Sequence, residues 1–283
     1  MSRNSHYFVG KDMRAKMARI HTDNMDKKYS SEISECIRSS IVYNGGNPNV
    51  FCRKEIKPIP NNSTKIDVID SGSVEAIFKY KEDSDSMAVL NFASYMHPGG
   101  MFMKGSKAQE ECLCHASFLY NVISSPALAD FYDWNSSHRN RGMYLDRAIC
   151  SPSVRFFNYG EYSDNSDIPE TVTCRVITCA SPNWSVAMRY GNFTAEENSK
   201  ALRSRIEFVL HIAANFYCKT LILGAFGCGV FAQDGYEVAK IFKDLLSTKY
   251  KDVFEHVVFA IPIGEHDTNY SKFKSVFNIG GEQ

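Results

Sequence analysis

No apolar run in the 283-residue sequence approaches the roughly 20 residues a membrane-spanning helix requires, so no membrane partner is expected. Nor is there a surplus of charge, since 32 Lys and Arg face 32 Asp and Glu. A domain that grips nucleic-acid backbone usually carries a basic excess, so direct sequence-specific nucleic-acid binding is not expected either. Repeats and low-complexity tracts are missing. A content of 44% hydrophobic and 23% charged residues is that of an ordinary globular protein and sets disorder aside. The N-terminus, MSRNSHYFVGKDMRAKMARI, lacks the apolar stretch of a signal peptide. The nine cysteines have no paired spacing, and several lie in apolar runs such as TVTCRVITCA. That is the pattern of free buried thiols in a reducing compartment, and the cytoplasm is the expected location. Cys112, Cys114 and His115 diverge on a continuous helix and have no second cluster to join; no metal and no cofactor is expected.

What is present is an alternation of strand-like and helix-like segments. Residues 11–42 read mainly as helix, ending at a breaker cluster, and residues 1–62 are expected to form an N-terminal helical extension packed on a main domain of residues 63–283. In that domain short apolar runs at 65–69, 87–92, 153–157, 171–180, 220–223 and 257–261 read as strands. Helical spacing marks residues 73–80, 107–123 and 197–217, and a further helix carries Val238, Ile241, Phe242, Leu245 and Leu246 on one face. The implied architecture is an α/β sandwich with a largely parallel or mixed sheet. Two glycine-bearing loops follow strand ends, where ligands sit in such sheets. The acidic stretch YGEYSDNSD, residues 159–167, reads as a lid or a solvated loop.

The loop after residues 220–223 reads LGAFGCGVF. Its glycines permit positive φ and close approach of an anion, and successive amides form a nest for a diphosphate without lysine or arginine. The gaps between Gly224, Gly227 and Gly229 fit neither the dinucleotide fingerprint nor a P-loop. A tight strand-to-helix turn is the plain alternative, and Phe226 and Phe231 serve equally as core residues or as platforms for a base or ribose.

The loop after residues 87–92 is more informative: NFASYMHPGGMFMKGSKAQEECLCHASFLY. Asn91 stands near the end of a buried strand and needs a partner, which is either ligand or loop backbone. Pro98-Gly99-Gly100 is a turn that exposes amides. Ser106 to Gln109 matches a helix capping box, so Gln109 can be read as a cap, and Glu110 and Glu111 as acids favoured in a first helical turn. Adjacent carboxylates project about 100° apart on a helix. They can divide the work, one holding ribose hydroxyls and the other reaching a glycosidic oxygen. Burial and a neighbouring carboxylate help such an acid keep its proton, and the helix N-terminus opposes them.

The segment from Asn91 to Tyr120 resembles the signature of the bacterial-type (microbial) poly(ADP-ribose) glycohydrolases, which are built on a macrodomain. That signature is a glycine triplet, a short linker and Gln-Glu-Glu; here it reads Gly99-Gly100-Met101, seven residues, then Gln109-Glu110-Glu111. The residues from Leu223 to Phe231 resemble the same family's diphosphate loop, and SPSVRFF and CASPNW also look familial. The resemblance spans about residues 65 to 246. It implies a macrodomain-like three-layer α/β/α sandwich that hydrolyses ribose–ribose bonds of poly(ADP-ribose) and acts on ADP-ribosylated proteins. Glu111 would be the catalytic acid–base and Glu110 would bind ribose hydroxyls. Gln109 would support the loop, Asn91, Gly99 and Gly100 would line the distal ribose, and Pro98 would be among the substrate-binding residues. Gly224, Phe226, Gly227, Cys228, Gly229 and Val230 would form the diphosphate loop, and Phe231 would pack on the terminal ribose. Met101 departs from the triplet; a glycine-only backbone there would force a different loop. A non-catalytic ADP-ribose-binding module and a hydrolase of mono-ADP-ribosyl conjugates are the rival readings.

Overall fold

The computed structural model describes residues 10–45, 56–158, 170–264 and 268–279. Residues 159–167, the stretch read as a lid or solvated loop, lie outside them. Along the chain run α1 (Lys11–Ser39), β1 (Ile41–Asn44), β2 (Lys65–Ile69), α2 (Ser73–Lys79), β3 (Met87–Phe92), α3 (Gln109–His115), α4 (Leu119–Ile123) and α5 (Ala129–Ser137). There follow β4 (Arg147–Phe157), β5 (Thr171–Cys179), α6 (Trp184–Tyr190), α7 (Ala195–Asn215), β6 (Thr220–Leu223), α8 (Gly235–Ser247), β7 (His256–Ala260) and α9 (Asn269–Phe277). Among the described residues no helix is long and apolar enough to cross a membrane.

The strands form one sheet in the order β1-β4-β5-β3-β6-β7-β2. From β5 through β2 neighbours pair in parallel, whereas β4 runs antiparallel to β5 and β1 antiparallel to β4. Every residue of β3 except Phe92 is buried, which is why this strand reads as a continuous apolar run. Its side chains alternate between two cores. Ala88 and Leu90 join α7 and α8, through residues such as Leu202, Ile206 and Phe242, on one face. Met87 and Val89 join Ile77, Leu113, Leu119 and the α1 residues Ala18, Met25 and Ile33 on the other. The result is three layers, helices on both sides of a mixed sheet. α7 starts two residues earlier than expected because Thr194 and Glu197 form a reciprocal capping box.

Three elements differ from the sequence reading. The helix expected over 107–123 is two helices, α3 and α4. Between them Ser117 bridges Phe156 of β4, and Phe157 N donates to Ala116 O at 2.7 Å. The backbone there serves a strand instead of a helix, and Ser117 Oγ accepts from Leu119 N to start α4. The strand expected at 153–157 begins at Arg147 and passes through an irregularity between Ser151 and Val154. Finally, the helix expected to reach residue 42 ends at Ser39, and β1 adds an edge strand to the sheet. The segment read as an extension thus shares both the sheet and one core.

Candidate active site

The two glycine-bearing loops leave the same edge of the sheet, since β3 and β6 are parallel neighbours. Their pairing runs from Met87–Thr220 to Val89–Ile222 and stops there. Beyond it Ala93 N donates to Cys179 O of β5 at 3.1 Å. Backbone groups alternate sides along a parallel strand, so Leu90 O and Phe92 N face the vacated β6 side. The Gln109 carboxamide takes both: Phe92 N donates to Oε1 at 2.8 Å, and Nε2 donates to Leu90 O at 2.8 Å. Nε2 also reaches Ser73 Oγ at 3.0 Å. Gln109 therefore stands in for β6 where the strands part. The capping box expected from Ser106 to Gln109 does not form, because Ala108 is the N-cap and makes no side-chain cap bond; Gln109 is spent on the strand.

One residue further on, Glu110 and Glu111 are 3% and 5% exposed, beside fully buried Asn91. Glu110 Oε2 accepts from Ser94 N at 2.7 Å, and Oε1 accepts from Asn91 Nδ2 at 3.2 Å. Asn91 Nδ2 also reaches Thr178 Oγ1 at 3.3 Å. Glu111 Oε1 accepts from Met101 N at 2.8 Å. Burial pushes the Glu110 carboxyl up to about 8, with Glu111 adding to the shift; the bonds from Ser94 N, Asn91 and Gly99 N oppose it. The shift favours the protonated form of Glu110. Among the described residues two buried oxygens here find no hydrogen-bond partner, Asn91 Oδ1 and Glu111 Oε2. Such atoms in a folded protein call for a ligand or a water.

The turn that faces the acids needs glycine at two positions. Gly99 and Gly100 have φ of 66° and 59°. A Cβ on Gly100 would lie 2.7 Å from Glu111 Oε1, and one on Gly99 would lie 2.6 Å from the Tyr120 ring. Met101, by contrast, has φ −110°, which any residue adopts. The departure from the glycine triplet therefore leaves the backbone path intact. Its amide is on Glu111, and its side chain is exposed. Pro98 is half-buried at the head of the turn, and His97 is exposed.

The second loop meets the first at its root. A Cβ on Gly224 would lie 2.8 Å from Ala260 O and 3.1 Å from the Phe92 ring. Phe226 is fully buried with its ring 5.6 Å from that of Phe92; of the two roles left open for it, the structure gives the core and not the platform. Gly227 has φ 79°, and a Cβ there would collide with Ser181 Oγ just after β5. Within the loop Cys228 N donates to Ala225 O at 3.1 Å and Gln233 N to Gly227 O at 3.0 Å. Gly229 faces open space and Val230 is 84% exposed. Ser185 holds the carbonyls of Val230 and Phe231. Half-buried Phe231 packs on Tyr144 (6.1 Å between centroids), which stacks on Tyr95 of the first loop at 4.1 Å.

Sequence reasoning missed several members of this constellation. Ser94, Thr178, Ser181, Tyr95 and Tyr144 each act through contacts across the sheet edge and leave no local pattern. Arg205 had a signal, since it lies within the apolar stripe of α7. It is 1% exposed, its Nε donates to Asp146 Oδ1 at 2.6 Å, and it also donates to Ala180 O. It thereby ties α7 to the strand end that carries Ser181.

Residues 12–159 match the family model of the microbial-type PARG catalytic domain. No curated protein matches the chain. Among solved structures, the poly(ADP-ribose) glycohydrolase (PARG) of Thermomonospora curvata is 28% identical, with 94% of this chain and 100% of that chain covered at a TM-score of 0.82. The PARG of Deinococcus radiodurans in complex with ADP-ribose is 29% identical, with 87% and 96% covered and a TM-score of 0.76. The Thermomonospora curvata enzyme bound to the inhibitor ADP-HPD gives 28%, with 93% and 99% covered and a TM-score of 0.80. Macrodomain-like in its layers and carrying both loops on one sheet edge, the chain belongs to the microbial-type poly(ADP-ribose) glycohydrolase family.

Proposed function

We propose that this chain hydrolyses the ribose–ribose O-glycosidic bond of poly(ADP-ribose) and releases ADP-ribose, with Glu111 as general acid and base. The observation that carries the assignment is the asymmetry of the Glu111 carboxyl. Met101 N holds Oε1, while Oε2 is buried and finds no partner among the described residues. Oε2 is then the atom that protonates the leaving 2′ oxygen as the anomeric carbon gains oxocarbenium character. The same atom takes the proton back from the attacking water.

The remaining roles follow from placement. Protonated Glu110 can donate to a ribose hydroxyl as well as accept, and Asn91 Oδ1 offers an acceptor beside it. Pro98, Gly99 and Gly100 line the distal ribose. Gly224, Gly227, Cys228, Gly229 and Val230 supply the backbone around the diphosphate, with Phe226 supporting that loop from below and Phe231 against the terminal ribose. The chemistry draws on no metal or cofactor. ADP-ribosylated proteins are the proposed macromolecular partners. Free thiols such as buried Cys36, Cys150 and Cys174 support a reducing compartment, and the proposal includes a cytoplasmic location.

The test is release of ADP-ribose from purified polymer. The wild type is expected to release it, and Glu111→Gln is expected to bind ADP-ribose and release none. A wild-type chain that binds ADP-ribose but leaves polymer intact would be a binding module. Release from singly modified protein, with polymer untouched, would mark a hydrolase of mono-ADP-ribosyl conjugates.

A further inference from the structure

The segment that presents Met101 N to Glu111 is held from outside by α1. From Gly99 to Ser106 the chain closes a run of short turns: Phe102 N donates to Gly99 O, Lys104 N to Met101 O, Gly105 N to Phe102 O and Ser106 N to Met101 O, all between 2.9 and 3.2 Å. Such a run links Gly105 to Met101 through consecutive backbone bonds. Its far end, Gly105, has φ 77° and lies flat on the first turn of α1; a Cβ there would sit 2.1 Å from Lys11 O and 3.0 Å from Ala15 N. Arg14 Nε donates to Gly105 O at 2.7 Å, a charge-assisted bond to a carbonyl of that run. Phe102, fully buried, packs on Tyr120 with ring centroids 5.0 Å apart.

The same helix grips the chain beyond the acids. His21 Nε2 lies 2.8 Å from Ser117 O, and Asn121 Nδ2 donates to Thr22 O at 3.0 Å and Asp26 Oδ1 at 2.7 Å. α1 therefore brackets α3, with Arg14 before the two glutamates and His21, Thr22 and Asp26 after them. The matched catalytic-domain region begins at residue 12 and so includes this helix.

We propose that Arg14 is a positioning residue for the reaction: through Gly105 it fixes the turn whose Met101 amide orients the Glu111 carboxyl. This rests on Glu111 being the acid–base of the proposed hydrolysis. Arg14 is half-buried, and its bond is to Gly105 O, at the end of the turn away from the two glutamates, so its removal should leave ADP-ribose binding intact. Small misplacements of a catalytic group cost rate even when they originate away from the reacting atoms.

The experiment uses the full chain as wild type, Arg14→Met, which keeps an apolar stem without a donor, and Arg14→Lys, which restores one. Release from polymer, ADP-ribose affinity and Tm are measured for each. The expected result is a kcat for Arg14→Met lower by roughly tenfold or more, an unchanged affinity for ADP-ribose, and recovery of most of the rate in Arg14→Lys. An unchanged kcat in Arg14→Met overturns the proposal. So does a fall in Tm, affinity and kcat together with no recovery by lysine, which marks a merely structural bond. A wild type that releases nothing overturns the hydrolase reading, and this proposal with it.

Discussion

Met101 N lies 2.8 Å from Glu111 Oε1, and it donates from a residue whose φ is −110°. Gly100, one position earlier, has φ 59° and no room for a Cβ beside the same oxygen. The contrast separates a position of the turn that must be glycine from one that need not be. Gly100→Ala should abolish release of ADP-ribose and lower Tm, because it adds backbone strain and drives a methyl into the carboxylate pair. Met101→Gly should keep the activity and reduce stability by only about 0.5–1 kcal/mol, through greater freedom of the unfolded chain. Activity and melting curves of the two variants side by side check this; an active Gly100→Ala would contradict it.

Glu110 supplies a pH signature. Its folded-state value of about 8 lies above the ordinary 4.5. A raised carboxyl disfavours folding increasingly as pH climbs from about 4.5 to 8, because the unfolded chain ionises first and the folded one resists. Glu110→Gln removes that ionisation. Asn91, whose Oδ1 is unpartnered, can turn its carboxamide to accept from the new amide. The variant should therefore gain Tm relative to wild type on going from pH 5 to pH 8.5. A difference in Tm that does not change over this range would show that Glu110 does not titrate there. In the wild type the rate should fall as pH rises through about 8, when Glu110 loses its proton.

What the sequence made legible was local. The run at Met87–Phe92, the glycines at 99, 100 and 227, and the adjacent acids each announce themselves within a few residues, and their order along the chain carried the family. The unreadable parts are those decided across the sheet. Nothing near Ser117 says that β4 will pair with it and cut a helix in two. Nothing in IVYN marks a further strand at the sheet edge, and a helical reading ran straight into it. Gln109 is the sharpest case. S-x-x-Q is a sound local signal for a cap, but the capping glutamine was more strongly required by Leu90 O and Phe92 N, two groups orphaned by the divergence of β6.

That competition makes Gln109 a stability hot spot as well as a support for the acids. Gln109→Ala strands a buried carbonyl and amide of β3, and an unmet buried group costs about 1–3 kcal/mol. Gln109→Glu keeps an acceptor for Phe92 N but has no donor for Leu90 O, and places a third carboxylate beside Glu110 and Glu111. Both variants should unfold at lower denaturant than wild type. The glutamate should be the worse of the two above pH 7 and should recover in acid, whereas the alanine deficit should be independent of pH. Denaturant midpoints at pH 5 and pH 8 distinguish these outcomes, and equal midpoints for wild type and Gln109→Ala would remove Gln109 from this role.

The two phenylalanines and the valine of the second loop separate support from contact. Phe226 is fully buried against Phe92, and deleting a buried ring of this kind costs about 3–5 kcal/mol. Val230 is 84% exposed, so Val230→Ala should leave Tm unchanged. Phe231 stands between them, half-buried on Tyr144. If the loop holds ADP-ribose as proposed, Phe231→Ala should weaken ADP-ribose binding by more than it lowers Tm, while Phe226→Leu, which keeps most of the core volume, should bind nearly as the wild type does. Calorimetric titration of ADP-ribose into the three variants, with melting curves taken alongside, reads this directly. Binding that tracks Tm across all three would mean that the loop acts only as a strand-to-helix turn and that the diphosphate is held elsewhere.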